Sequence, residues 1–285
     1  MYSSFNARAV GLNLPASETI DLTAHAGFGG VDLLVRDLDL DQAGNQPANL
    51  RRRMNDLGLR GGAFPLPVDW RGDHACFRRD HAALPRLADL AASLGLFRTG
   101  TWVMPEQVDT SATTLQLHVD RLGAIADVLV SRGIRIGLEV IGPATSRTGR
   151  TPRFITRLSD LGPILGPLSE RLNVGILVDA FHLYAAGESL DEAIVWGIES
   201  VAWVHVADLP AGAPPDRDQI RDAERGLPGE NGAVDVASVL STLKRRGYDG
   251  PVTVEPMGHC PSLLNLTPIE VATRVAWSLK SVWPA

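Results

Sequence analysis

Cysteine is nearly absent: Cys76 and Cys260 are the only two in 285 residues. That is too few for a disulfide framework or a thiolate-built metal site, and it fits a reducing compartment. Also missing is any run of roughly 18 consecutive apolar residues, the length of a membrane-spanning helix. The N-terminal MYSSFNARAVGLNLPAS has no basic region followed by an apolar core, so the chain reads as a soluble, cytoplasmic protein whose mature form starts near Met1. There is no basic excess either. Twenty-seven Lys and Arg against 33 Asp and Glu leave a formal charge of −6, which argues against a nucleic-acid protein that relies on general basic attraction. No low-complexity tract or linker divides the sequence, so residues 1–285 read as a single domain. What is present, 45% hydrophobic against 21% charged residues, is enough for a sizeable core.

Short apolar runs alternate with amphipathic stretches along the whole chain, the signature of βα units and a parallel sheet. Eight runs read as strands: ARAVGLN, GVDLLV, LRGGAFPL, FRTGTWVM, IRIGLEVI, NVGILVD, VAWVHVAD and PVTVEP. Between them lie helical patterns such as PANLRRRMNDLG, HAALPRLADLAASLG, TLQLHVDRLGAIADVLVSRG and VASVLSTLKRRG, each closing on a Gly suited to a left-handed cap. Eight strands and eight helices in about 250 residues is the size of a closed (β/α)8 TIM barrel. An open doubly wound sheet is disfavoured because no Gly-x-Gly-x-x-Gly follows the first run. Three longer connections, 65–78, 141–153 and 207–234, all follow strands, which in a barrel gathers them at the C-terminal mouth where active sites form.

Four consecutive predicted strands each end in a side chain able to bind a hard or borderline metal: Glu139, Asp179, His205 and Glu255. Strand side chains alternate between faces. One parity holds Ile136, Leu138, Ile176, Val178, Val204, Val206, Val252 and Val254, an aliphatic set suited to packing under helices. The other holds Gly137, Gly175, Leu177, Trp203 and Thr253 together with the four candidates, which therefore point into the barrel. Three carboxylates converging with one imidazole repel one another unless a cation is shared. The oxygen-rich donor set suits Mn²⁺ or Mg²⁺, with Co²⁺ or Zn²⁺ also compatible. His182, three residues after Asp179, is placed beside the metal or on substrate. Asp208 is placed to orient a loop, cap a turn or reach a substrate hydroxyl. Of the tryptophans, Trp70 lies in a loop and is the candidate to stack on a sugar face, whereas Trp102 lies in a strand and reads as core. Arg147, Arg150, Arg153, Arg217 and Arg221 read as a solvated rim. Arg225, before a Pro-Gly turn, reads as the exception that faces the mouth.

The ordered motifs GLEV, VDAFH, HVAD, RGLPGENGAVD, GYDG and VTVEP resemble the xylose-isomerase-like barrel superfamily of sugar isomerases, epimerases and keto-inositol enzymes. The resemblance covers essentially the whole chain and is most specific from Glu139 to Glu255. It implies one divalent metal held by Glu139, Asp179, His205 and Glu255, with Glu139 and Glu255 doubling as the acid/base pair. It further implies that His182 and Arg225 contact substrate oxygens. Two departures bear on substrate. The stretch after His205 reads LPAGAPP where ketose 3-epimerases have an Arg, and the 207–234 loop has no His where the trinuclear zinc endonucleases have an Asp-x-His pair. The expected activity is isomerisation or epimerisation of a small polyhydroxy ketone through an enediolate. The alternatives are a metal-dependent lyase or dehydratase on the same scaffold, and a catalytically silent sugar- or partner-binding barrel. Trp277 and Trp283 near the C-terminus read as packing of the last helix or as a homo-oligomer contact.

Overall fold

A computed structural model of the chain describes residues 1–40 and 46–285. Nine parallel strand segments form one sheet: β1 (Tyr2–Phe5), β2 (Gly30–Val31), β3 (Arg60–Gly61), β4 (Phe64–Pro65), β5 (Arg98–Val103), β6 (Arg135–Val140), β7 (Val174–Asp179), β8 (Val201–Val206) and β9 (Pro251–Val254). Their order is β3-β2-β1-β9-β8-β7-β6-β5-β4. The segments at the two ends of that order, β3 and β4, are consecutive pieces of the LRGGAFPL run. It pairs with β2 at its start and with β5 at its end, so the sheet closes on itself as a TIM barrel of eight runs.

The helices are α1 (Ala16–His25), α2 (Val35–Leu40), α3 (Pro47–Asp56), α4 (His74–Leu94), α5 (Ala112–Val130), α6 (Gly162–Leu165), α7 (Ala180–Ala186), α8 (Leu190–Ala193), α9 (Val236–Arg245) and α10 (Pro268–Ser281). Side-chain caps start the longer ones. Asp73 accepts from the Cys76 amide and Asp235 from the Ser238 amide, satisfying N–H groups that a first helical turn leaves open. The Asp73 cap sets the α4 start at His74, so the end of the expected 65–78 loop is helical. At its other end α4 stops on Gly95 with φ +78°. No described helix is long and apolar enough to cross a membrane.

The structure departs from the sequence reading at two places. The first strand is Tyr2–Phe5, and ARAVGLN is instead a series of turns in which Gly11 N donates to Arg8 O and Leu12 N to Ala7 O. Its apolar residues are buried as loop: Ala7 and Val10 pack into the core. Helices also do not follow each strand evenly. The connection from β6 to β7 holds only 3₁₀ turns and the four-residue α6, because Pro143, Pro152 and Pro167 lack the N–H that a helix interior needs.

The parity argument holds. Ile136, Leu138, Ile176, Val178, Val204, Val206, Val252 and Val254 join the large core between sheet and helices, while Leu177 and Trp203 pack with Ala63 in a separate cluster inside the barrel. Gly100 makes room for that filling, since a Cβ there would lie 2.6 Å from Leu177 Cδ1 and 3.0 Å from Trp203 Cε3.

Candidate metal centre

Parallel register brings the four mouth residues to one height. Asp179 is the last residue of β7 and pairs with His205 on β8, which pairs with Thr253 on β9, two residues before Glu255. The Glu255 amide extends that pairing by donating to Val206 O at 3.0 Å. One donor atom from each of Glu139, Asp179, His205 and Glu255 lies within 4.8 Å of every other. Their side chains are 12%, 0%, 6% and 21% exposed, respectively. Sequence spacing alone thus picked out four side chains that the barrel does bring together.

Each has a distinct electrostatic setting. Asp179 Oδ1 caps α7 by accepting from the Phe181 and His182 amides, which turns Oδ2 toward Arg225 Nη1 at 2.7 Å. Burial alone would lift its pKa, but Arg225, His182 and His205 hold it well below the usual carboxylate range. Burial likewise works against ionised Glu255, yet His205 and Arg225 outweigh it and leave the carboxyl below its ordinary value. Glu139 is the opposite case. Burial pushes its carboxyl up, only partly offset by His205 and reinforced by the like charge of Glu255. His205 resists charging through burial, but Glu255 and Glu139 flank it and raise its pKa well above the ordinary imidazole value.

Three buried polar atoms of this cluster have no hydrogen-bond partner: Glu139 Oε1, His205 Nδ1 and His205 Nε2. The Nδ1 atom lies 3.4 Å from Glu139 Oε1 and 3.2 Å from Glu255 Oε2, close enough for ion pairing but out of line for a hydrogen bond. Unpartnered polar atoms at this depth are costly, and a shared cation would take up their lone pairs. Three carboxylates and one imidazole fit a divalent cation.

Around this cluster the other expected site residues separate. Arg225 is fully buried. Besides Asp179, its Nη1 stands 3.3 Å from Glu255 Oε2, and its Nη2 meets Asp222 Oδ1 at 2.6 Å and His182 Nε2 at 3.1 Å. His182 is thereby held against Arg225 and 3.7 Å from Asp179 Oδ2. The sequence reading missed Asp222, because a carboxylate three residues before an Arg in a loop gives no signal of which way it points. Arg150, Arg153, Arg217 and Arg221 are exposed, as a rim would be, with Arg217 stacked on Tyr184.

Two candidates are corrected. Asp208 is fully buried and accepts from the backbone amides of Leu209, Asn231, Gly232 and Val234, so it anchors the 207–234 loop and has no edge left for a substrate hydroxyl. Trp70 is 0% exposed, donates its Nε1 proton to Thr101 Oγ1 at 3.0 Å and offers no open ring face. Its role as open aromatic passes to Trp102, which is 44% exposed. Trp102 sits two residues beyond the inward Gly100 and pairs in register with Glu139 on β6, a parity that was available in the sequence. The Arg71 guanidinium lies 3.9 Å over its ring and donates to its carbonyl. A cavity of about 480 Å³ lined by Trp102, Thr101, Gly100, Pro65, Leu66 and Arg71 opens there.

A closed parallel barrel with carboxylates and an imidazole gathered at the C-terminal ends of its strands defines an α/β-barrel protein with a candidate metal centre. The chain belongs to the xylose isomerase-like TIM barrel family, which matches residues 20–278. An inosose isomerase of Halalkalibacterium halodurans is 26% identical over 140 residues, 48% of this chain and 44% of that protein. A ketose 3-epimerase of Arthrobacter globiformis is 27% identical over 188 residues, 64% of this chain and 57% of that one. The chain thus spans about half the length of these relatives. A xylose isomerase domain protein from Alicyclobacillus acidocaldarius has a TM-score of 0.85 at 27% identity, covering 98% of this chain and 97% of that chain. The IolI protein with a bound zinc atom has a TM-score of 0.80 at 20% identity, covering 99% and 98%. The second likeness speaks for the fold alone.

Proposed function

We propose that this protein is a divalent-metal-dependent isomerase or epimerase of a small polyhydroxy ketone, a ketose or a keto-inositol. The observation that carries the proposal is the Glu139–Asp179–His205–Glu255 cluster, with its unpartnered buried atoms, at the mouth of a barrel. The relatives named for inosose and ketose chemistry support the same substrate class. Glu139, Asp179, His205 and Glu255 would hold the ion, Mn²⁺ by the oxygen-rich donor set, with zinc tested beside it. A divalent cation held there supplies positive charge to the carbonyl and neighbouring hydroxyl oxygens of an α-hydroxyketone, which acidifies the intervening C–H.

The proton is moved by the two glutamates. Glu255 takes the proton from the α-carbon, and a proton returned by Glu139 to the opposite face, or by Glu255 to the adjacent carbon, gives epimerisation or isomerisation. Asp179 serves as a ligand only, since one of its oxygens is spent on the α7 cap. Trp102 offers the exposed ring at the edge of the cluster on which a sugar face can rest, while Arg225 and His182, buried and paired with Asp179, Glu255, Asp222 and each other, hold the ligand carboxylates in place.

The test is solvent exchange of the substrate's α-hydrogen in D₂O, with Mn²⁺ or Zn²⁺, across inososes and free ketoses. Glu255→Gln and Glu139→Gln should each abolish deuterium uptake. Normal uptake in both variants would refute the assignment. The appearance of an ultraviolet-absorbing enone in place of exchange would mark the enzyme as a lyase.

A further inference from the structure

Metal-ligating histidines are ordinarily held in place by a hydrogen bond to the ring nitrogen that does not bind the metal. His205 has no such bond: neither ring nitrogen has a hydrogen-bond partner. What lies against the ring is the indole of Trp203, two residues back on the same strand and face, in an edge-on contact with centroids 4.3 Å apart and planes at 79°.

Trp203 itself is locked from below. An indole N–H only donates, so at 3.0 Å it gives its proton to Thr253 Oγ1. The Thr253 hydroxyl proton then has a single outlet, Asp32 Oδ2 at 2.6 Å. The other carboxylate oxygen of Asp32 accepts from Ser4 Oγ at 2.6 Å and from the Ala63 amide at 2.8 Å. All of these side chains are buried, and the donor-only indole at one end and the carboxylate at the other give the chain of hydrogen bonds one sense. The backbone is shaped around it. A Cβ on Gly62 would lie 2.0 Å from Asp32 Oδ1 and 2.2 Å from Ser4 Oγ, and it is at Gly62–Ala63 that the third run breaks into β3 and β4. The break turns the Ala63 amide onto Asp32. A buried carboxylate is expensive in a barrel interior that an aliphatic residue could fill, and here its hydrogen bonds end on the side chain that sets the His205 ring.

We infer that Asp32, Thr253 and Trp203 form a positioning chain that fixes the ring plane of His205 for metal binding, in place of a hydrogen bond to the imidazole itself. The inference rests on the metal-centre reading above. Its test uses the full chain and Co²⁺ as the probe, with affinity read by competition against a chromophoric chelator and ligand geometry read from the cobalt visible bands. Thr253→Val keeps the shape and the Asp32 charge but cuts the chain. It should weaken Co²⁺ about tenfold or more, the usual cost of losing the support of a metal ligand, and change the band intensities. Thr253→Ser restores the hydroxyl and should bind close to wild type. Trp203→Phe, which removes the N–H and keeps an aromatic ring, should behave like Thr253→Val and stands in for it if that variant does not fold. Equal affinity in wild type and Thr253→Val, or equal loss in the Val and Ser variants, would overturn the inference. So would weakening by Asp32→Asn without weakening by Thr253→Val, since that isolates charge from positioning. A wild-type protein that binds no Co²⁺ refutes the metal centre itself.

Discussion

Replacing Arg225 by Met tests the electrostatic design of the site most directly. The guanidinium is fully buried and neutralises two of the four clustered donors, through Asp179 Oδ2 at 2.7 Å and Glu255 Oε2 at 3.3 Å. It also pairs with Asp222 at 2.6 Å. Methionine fills similar volume but strips Asp179 Oδ2, on a side chain that is wholly inaccessible, of its guanidinium partner, leaving the His182 ring at 3.7 Å. Breaking a buried pair by removing one partner costs about 3–5 kcal/mol. At roughly 2–4 °C per kcal/mol for a large domain, the metal-free variant should melt on the order of 10 °C below wild type. A divalent cation bound by the same carboxylates resupplies the missing charge, so the deficit should shrink when Mn²⁺ or Co²⁺ is added. Differential scanning calorimetry of both proteins, with chelator and with metal, reads the four values needed. A metal-free melting point within ~2 °C of wild type would refute the claim that Arg225 neutralises the cluster. A deficit of equal size with and without metal would refute the claim that guanidinium and cation draw on the same oxygens.

Further outcomes follow from the geometry. Metal must displace the proton that Glu255 and Glu139 favour on His205, so Co²⁺ affinity should rise with pH through the neutral range and binding should release protons; a flat profile would contradict the raised pKa. In the metal-free protein, Asp179 and Glu255 are depressed, so their stabilisation is complete above the ordinary carboxylate value of about 4 and is lost as pH falls through their folded values. His205 is raised, so its contribution is complete below about 6.5 and is lost as pH rises through its folded value. Denaturant melts should therefore show a metal-free stability maximum in the mildly acidic range between them. Gly100→Ala should cost about 1–3 kcal/mol by driving a methyl into Leu177 and Trp203, seen as a lower denaturation midpoint. Asp208→Ala strips an acceptor from the amides of Asn231, Gly232 and Val234 and should speed proteolysis and hydrogen exchange within residues 207–234.

Much of the site was legible because a strand's side-chain period is exact and local. Counting by two from Ile136, Ile176, Val204 and Val252 separates the aliphatic face from the face that carries Glu139, Asp179, His205 and Glu255, and the barrel keeps that separation. The same count, carried along β5 from Gly100, would have turned Trp102 inward; strand membership alone says nothing of depth, and Trp102 lies at the open end. Apolar content misled at the first strand. Tyr2–Phe5 is half polar because Ser4 serves Asp32, while the apolar ARAVGLN is buried as turns.

The sequence by itself indicated seven of the eight strand runs, the closed barrel, the family and the four candidate donors, since each depends on periodicity or on motif order. Only the tertiary structure decided what faces those donors. Arg225 reaches Asp179 across 46 residues, and Asp32 reaches Thr253 across 221. A long flexible side chain or a loop carboxylate has no local period to declare its direction. Its partner is chosen only when barrel closure brings together groups that burial forces to pair.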